Sequence, residues 1–253
     1  MSRSRETLNH SSLKFFTKFT GRYFAKFLSP REKLMIQCNH YAFLDRIISD
    51  DDFFLNIKKG ITIWTQEYNT CNDKQSIVLK TPNLSKREGE IVLEYFFNNT
   101  LLYFITFSFS PGTIFGLPNE QLIAIGGSQG RYSHSELTRN ASKLNGEINP
   151  STALILALKA ISRVLGIKIL LGIKVSQHSS LNINPEIGYF SYDDLWSKNY
   201  GEEYPNYYVI PTDTLRKVSD TVEGSHKSRT RKKRIRKEDM INQIMSEFER
   251  YVL

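Results

Sequence analysis

The stretch 121-QLIAIGGSQG-130 decides how this chain is read. Gln121 to Ile125 is a short apolar run of the length a buried strand takes. Three of the next five residues are glycine. Glycine permits the left-handed backbone that a sharp turn needs, and such a turn can also aim N–H groups at an anion. The stretch predicts a strand followed by a turn over Gly126 to Tyr132. Both uses of the turn stand open: a bend only, or a cradle for a phosphate.

Upstream lies a hairpin. Glu90 to Phe97 and Leu101 to Phe109 are rich in Val, Ile, Phe and Tyr, and Asn98-Asn99 separates them. Asparagine tolerates the positive φ of a tight hairpin turn. Ile61 to Trp64 and Ser76 to Leu79 are shorter strand candidates. Downstream, Ser135 to Leu144 is polar and helical. In 149-NPSTALILALKAISRVLG-166, Asn149 is placed to cap a helix, Pro150 to open it and Gly166 to close it. Ile167 to Val175 then reads as a buried strand. The order predicts an α/β fold with a largely antiparallel sheet and at least one crossover.

The ends are expected to be helical. Leu13, Phe16, Phe19, Tyr23 and Phe27 recur at spacings of three and four, predicting a helix over 12–28 whose other face carries Lys14, Lys18, Arg22 and Lys26. That helix either packs on its own domain or lies on an anionic membrane surface. Ser29, Pro30 and Glu32 open a second helix over 31–45, and a short third one ends at Gly60. Near the far end, Ile235, Met240, Ile241, Ile244, Met245, Phe248 and Tyr251 form a helical stripe. Residues 1–60 are thus expected to be a helical region, 61–222 the α/β core, and 223–253 a basic segment with a terminal helix, all in one continuous domain.

Composition narrows the classes. With 40% hydrophobic residues over 253 positions, the chain can bury a core and is not a disordered protein. Cys38 and Cys71 are too few for a disulfide framework or a zinc set, and His10, His40, His134, His178 and His226 form no metal-ligand spacing. The basic N-terminus lacks the apolar stretch of a signal peptide. Lys159, Arg163, Lys168 and Lys174 interrupt the most apolar region, so no transmembrane segment is expected. The cytoplasm is the expected location.

The net charge of +8 resides in one run. Lys227, Arg229, Arg231, Lys232, Lys233, Arg234, Arg236 and Lys237 fall within eleven residues without an acid; outside them, 26 bases face 26 acids. Such a run would bind phosphates through counterion release. It contains no aromatic residue to stack on bases. Loose binding of RNA or of an acidic protein fits it, as does a solvated linker.

The spacing of "IAIGGSQG", of "VSQHSS" after the next strand, of "YDDLW" and of the basic run resembles the VirK/YbjX family of Gram-negative bacteria. The resemblance is strongest from about Ile91 onward. It implies a cytoplasmic protein linked to virulence, through production or surface placement of an outer-membrane virulence protein or through resistance to envelope stress. It implies no particular reaction and no established cofactor. Gly126, Gly127, Gln129 and Gly130 match the family's glycine stretch, and Ser128 stands where many relatives carry an apolar residue. His178 matches the family histidine. Val175 replaces the asparagine expected three residues before it. Tyr192, Asp193 and Trp196 match the segment before the tail.

Two phosphate motifs are excluded. No Gly-Lys-Ser/Thr closes the glycine stretch, so it is not a Walker loop, and the G-x-G-x-x-G spacing is absent. The order of strand, Gln/Gly-rich turn, helix and strand is similar to the acyl-CoA-dependent N-acetyltransferase fold. On that analogy Gly126, Gly127, Gln129 and Gly130 would hold a pyrophosphate, acyl-CoA would be the cofactor, and His178 would be the candidate general base.

Overall fold

The computed structural model describes residues 22–48, 52–68, 72–83, 87–179, 192–213 and 226–252. Two helices open this part of the chain, α1 (Pro30–Ile47) and α2 (Phe53–Lys59). Four strands follow: β1 (Ile61–Tyr68), β2 (Asp73–Lys80), β3 (Ile91–Phe97) and β4 (Thr100–Pro111). Then come β5 (Gln121–Gly130), α3 (Ser135–Leu144), α4 (Pro150–Val164), β6 (Ile169–Ile173), α5 (Tyr192–Lys198), β7 (Glu202–Glu203), β8 (Tyr207–Pro211) and α6 (His226–Phe248). The strands form one sheet in the order β1-β2-β3-β4-β5-β6-β8-β7. Every neighbouring pair is antiparallel except β5 and β6. The expected mixed α/β architecture with a terminal helix is therefore present.

Local chemistry explains the elements. Ser29 and Glu32 close a reciprocal capping box at the start of α1, with Pro30 beside it. Asn149 accepts the Thr152 N–H at the start of α4. Asn98 and Asn99 have φ of 47° and 63° between β3 and β4, the left-handed pair of a two-residue hairpin turn.

One face of the sheet carries the larger core. Leu93, Tyr95, Ile105 and Phe107 meet Leu154, Leu158 and Ile161 of α4 there, and Ile241, Ile244 and Phe248 of α6 belong to the same cluster. A smaller cluster forms around Tyr23, Phe24, Ile36, Phe115, Leu122 and Leu171. Where β4 runs past the start of β3, α1 supplies the missing partners. His40 Nδ1 accepts the Phe109 N–H (3.1 Å), and Asn39 donates to the Phe109 carbonyl (3.1 Å). His40 is thus a core histidine.

Three expectations need correction. The glycine stretch is not a turn: β5 runs unbroken to Gly130, and none of its glycines has a positive φ. The helix expected over 12–28 falls partly outside the described residues, and its membrane-facing use with it. Residues 22–28 are not helical, since Phe24 has φ 58° and Ala25 forms a β-bridge with His178. Nor is the basic run a linker, because α6 is continuous from His226 to Phe248.

Candidate functional site

Two places gather the residues singled out by the sequence. The first is a fork. β5 and β6 pair in parallel only from Ile123 to Ile125 against Leu170 to Gly172. At Gly126 the register against β4 shifts by one residue, leaving Gly126 as the extra residue of a β-bulge. Beyond it β5 pairs with β4 alone, while β6 ends at Ile173. The backbone groups freed by the parting strands need partners, and the gap lies at the C-terminal ends of the parallel pair, the usual place for ligands in such sheets.

The glycines serve a close approach. A Cβ on Gly126 would collide with the Glu88 backbone carbonyl, and one on Gly127 with the Glu88 carboxyl. Glu88 itself is 5% exposed, in the turn before β3. Its Oε1 lies 3.4 Å from Gln129 Nε2 and 3.6 Å from His178 Nε2. Its Oε2 is buried and accepts no hydrogen bond from the described residues. Burial pushes the carboxyl up to about 7. Burial likewise pushes His178 down to about 4, against the opposing pull of its hydrogen bond with the Gly126 backbone. At 3.6 Å the two groups sense each other's charge but share no hydrogen bond. Near neutral pH Glu88 is part protonated and His178 is neutral, so they are not an ion pair.

The motif "YDDLW" completes the fork. Asp193 accepts the Val175 N–H (3.0 Å), and Trp196 donates its indole N–H to the Ile173 carbonyl (3.0 Å). Trp196 also covers Gly172, where a Cβ would strike its ring. Tyr192 lies tilted against His178, with ring centroids 5.5 Å apart, and is hydrogen-bonded to the Gln129 side chain and the Ser128 backbone. Burial, and then the Glu88 charge, hold its hydroxyl well above the usual tyrosine range. Ser128 is fully buried and donates to Tyr103 (3.2 Å), which is why a polar residue is tolerated there. The sequence singled out every member of this cluster except Glu88 and Tyr103. Glu88 lies in "KREGE", a stretch that reads as an ordinary charged turn.

The second place is a cleft of about 810 Å³ beside α6. Arg229, Lys232, Lys233 and Arg236 enter its wall at helical spacings of three and four, and Lys143 of α3 joins them. The eight bases therefore do not act alike. Arg231 and Arg234 are exposed, and Lys232 is exposed at the rim of the cleft. Arg229 stands 3.5 Å from Glu147 with most of its side chain in solvent. Lys227 lies in the first turn of the helix. Lys237 is half-buried, and that burial lowers its pKa. Arg236 is an anchor: it donates to Asn145 Oδ1 (3.1 Å), Gln66 Oε1 (3.2 Å) and the Tyr68 hydroxyl (3.5 Å), and its guanidinium lies 5.9 Å from the Trp64 ring centre. No group of three or more His, Cys, Asp or Glu suited to a metal ion occurs among the described residues. No helix among them is long and apolar enough to cross a membrane.

Together these features define a mixed α/β protein with a buried acid–histidine cluster at a strand fork and a separate basic cleft. A family model described as "Protein of unknown function (DUF535)" matches residues 2–247, and the chain belongs to that family. It is the family also known as VirK/YbjX, to which the glycine stretch, His178 and the "YDDLW" segment already pointed. No curated protein matches the chain.

Proposed function

We propose that the chain is a virulence-associated accessory factor of the cytoplasm, and within its family the virulence-plasmid member VirK of enteric pathogens. It supports production or surface localisation of an outer-membrane virulence protein, acting post-transcriptionally through an RNA contact made by α6. The observation that carries this reading is the ordering of the basic run on one helix, where four of its cations enter a single cleft wall. Cations fixed on a rigid element release counterions on meeting a polyanion without first paying for their own ordering.

The test replaces Arg229, Arg231, Lys232, Lys233 and Arg234 with Ser or Gln and keeps Arg236 and Lys237. In a strain lacking the chain, the neutralised protein is expected to accumulate normally yet fail to restore the surface protein. Full restoration ends the role assigned to α6.

A second reading is favoured by the fork. An acyl-CoA-dependent N-acyltransferase-like enzyme would place its cofactor where β5 and β6 part, beside Gly126, Gly127, Gln129 and Gly130, with His178 or Glu88 taking a proton. Glu88, held near neutrality, has the proton affinity such a role needs. Calorimetric titration with CoA and acetyl-CoA decides: the absence of heat at millimolar ligand removes this reading.

A further inference from the structure

We propose that the α6 cleft is a binding groove for single-stranded nucleic acid, with Tyr68 as its stacking platform. This inference rests on the RNA reading above and goes further, since it assigns the cleft, the form of the nucleic acid and residues far from the basic run.

The basic run lacks an aromatic residue, but the fold brings one to it. β1 ends at Tyr68, and both Tyr68 and Gln66 line the cleft opposite α6. Tyr68 is partly exposed and lines the cleft. Arg236 is hydrogen-bonded to the hydroxyl of Tyr68 and to Gln66, which fixes the floor of the groove. Lys143, Lys232 and Lys233 supply cations around that floor. On α6, cations three and four residues apart rise by about one turn, ~5.4 Å, so they form a row along the helix rather than a single point of charge. A row of cations beside an aromatic face is the arrangement that binds single strands: charges follow the phosphates while bases stack on the ring.

Other anionic partners fit less well. A lipid surface needs an apolar face to insert, but Met240, Ile241, Ile244 and Phe248 of α6 are turned into the core. Ile235 is the one large exposed apolar residue among the described part of α6. A duplex hides its base faces in the stack, so it could use the cations but not Tyr68.

The test measures fluorescence anisotropy of labelled oligo(U), 12 nucleotides long, with the full chain. A duplex RNA of equal length and phosphatidylglycerol-containing vesicles are run in parallel. The wild type is expected to bind oligo(U) more tightly than duplex or vesicles. Replacing Lys143, Lys232 and Lys233 by Gln together should weaken oligo(U) binding at least tenfold and flatten its salt dependence. Y68A should weaken it about five- to tenfold, while Y68F, which keeps the ring, should bind within twofold of wild type. Each variant is checked by thermal unfolding. R231Q/R234Q, whose side chains are exposed and off the cleft wall, should cost less than the triple variant. If wild type binds oligo(U) but the triple variant or Y68A binds equally well, the groove is wrong and the broader role of α6 survives. If wild type binds no RNA, both ideas fall. Preference for duplex or vesicles overturns the single-strand assignment.

Discussion

Glu88 and His178 are buried titratable neighbours with opposite displacements, and this sets their effect on stability. The folded chain keeps the Glu88 proton up to about 7, whereas the unfolded chain releases it near 4.5. Across that window the folded state binds more protons, so the Glu88 contribution falls as pH rises, by up to about 3 kcal/mol. His178 works the other way. The unfolded chain takes up a proton near 6.5 and the folded chain only near 4, so its contribution rises between pH 4 and 6.5. Where the windows overlap, the two slopes offset each other. E88Q is expected to become more stable relative to wild type as pH rises from 4.5 to 7. H178N should gain relative to wild type as pH falls from 6.5 to 4. Urea unfolding at stepped pH measures both, and parallel curves for wild type and E88Q would contradict the burial argument. The glycines give a second residue-level expectation. G126A meets a backbone carbonyl and G127A a side-chain carboxyl, so each should lose about 1–3 kcal/mol. Adding E88A should recover part of the loss for G127A and none for G126A. Equal rescue of both would place the obstruction elsewhere.

Element by element, α6 shows how far sequence pattern reaches. The apolar stripe from Met240 to Phe248 identifies the helix, since a 3.6-residue period is a local property. The start of the helix is hidden, because eight cations in eleven residues look the same in a linker and on a helix. What fixes them is tertiary: Arg236 finds Gln66 and Tyr68 on β1 and Asn145 at the end of α3. Neutralising Arg229, Arg231, Lys232 and Arg234 should change unfolding free energy by less than about 0.5 kcal/mol. R236A should lose about 1–3 kcal/mol, because it leaves the buried Asn145 side-chain carbonyl without its donor. Denaturant titration separates the two sets, and a cost shared evenly among all five positions would refute the anchor. β5 makes the same point from the other side. Its apolar half is legible, whereas Gly126 reads as a turn because the reason for it, Glu88, sits 38 positions upstream. Residues 22–28 mislead similarly. Their aromatic spacing is helical, but Phe24 donates to the Arg87 carbonyl and Lys26 to the Gln177 carbonyl, which holds the segment in a bent, non-helical path.

For the whole molecule, the strand set and its antiparallel character follow from apolar runs and turn residues. The fork and the cleft do not, since each joins segments distant in sequence. The architecture also warns against a natural experiment. Deleting 226–253 to remove the basic charges would strip Met240, Ile241, Ile244 and Phe248 from the core. At about 1.5–3 kcal/mol per buried side chain, that loss rivals the whole stability of a typical domain. The truncated chain is expected to lose its near-ultraviolet circular dichroism and bind a hydrophobic dye. A native-like spectrum would show that α6 is dispensable for folding.

The hairpin at Asn98-Asn99 has a consequence in time. From β1 to β5 each strand pairs with the next one in sequence, so these contacts close short loops and can form early. The β5–β6 pair must wait for the intervening helices, and α6 must return to β1 across most of the chain. N99A should therefore slow refolding, whereas M240A should mainly hasten unfolding, a contrast that stopped-flow kinetics resolves. During synthesis the sheet can then begin to assemble long before the cationic helix arrives to close it.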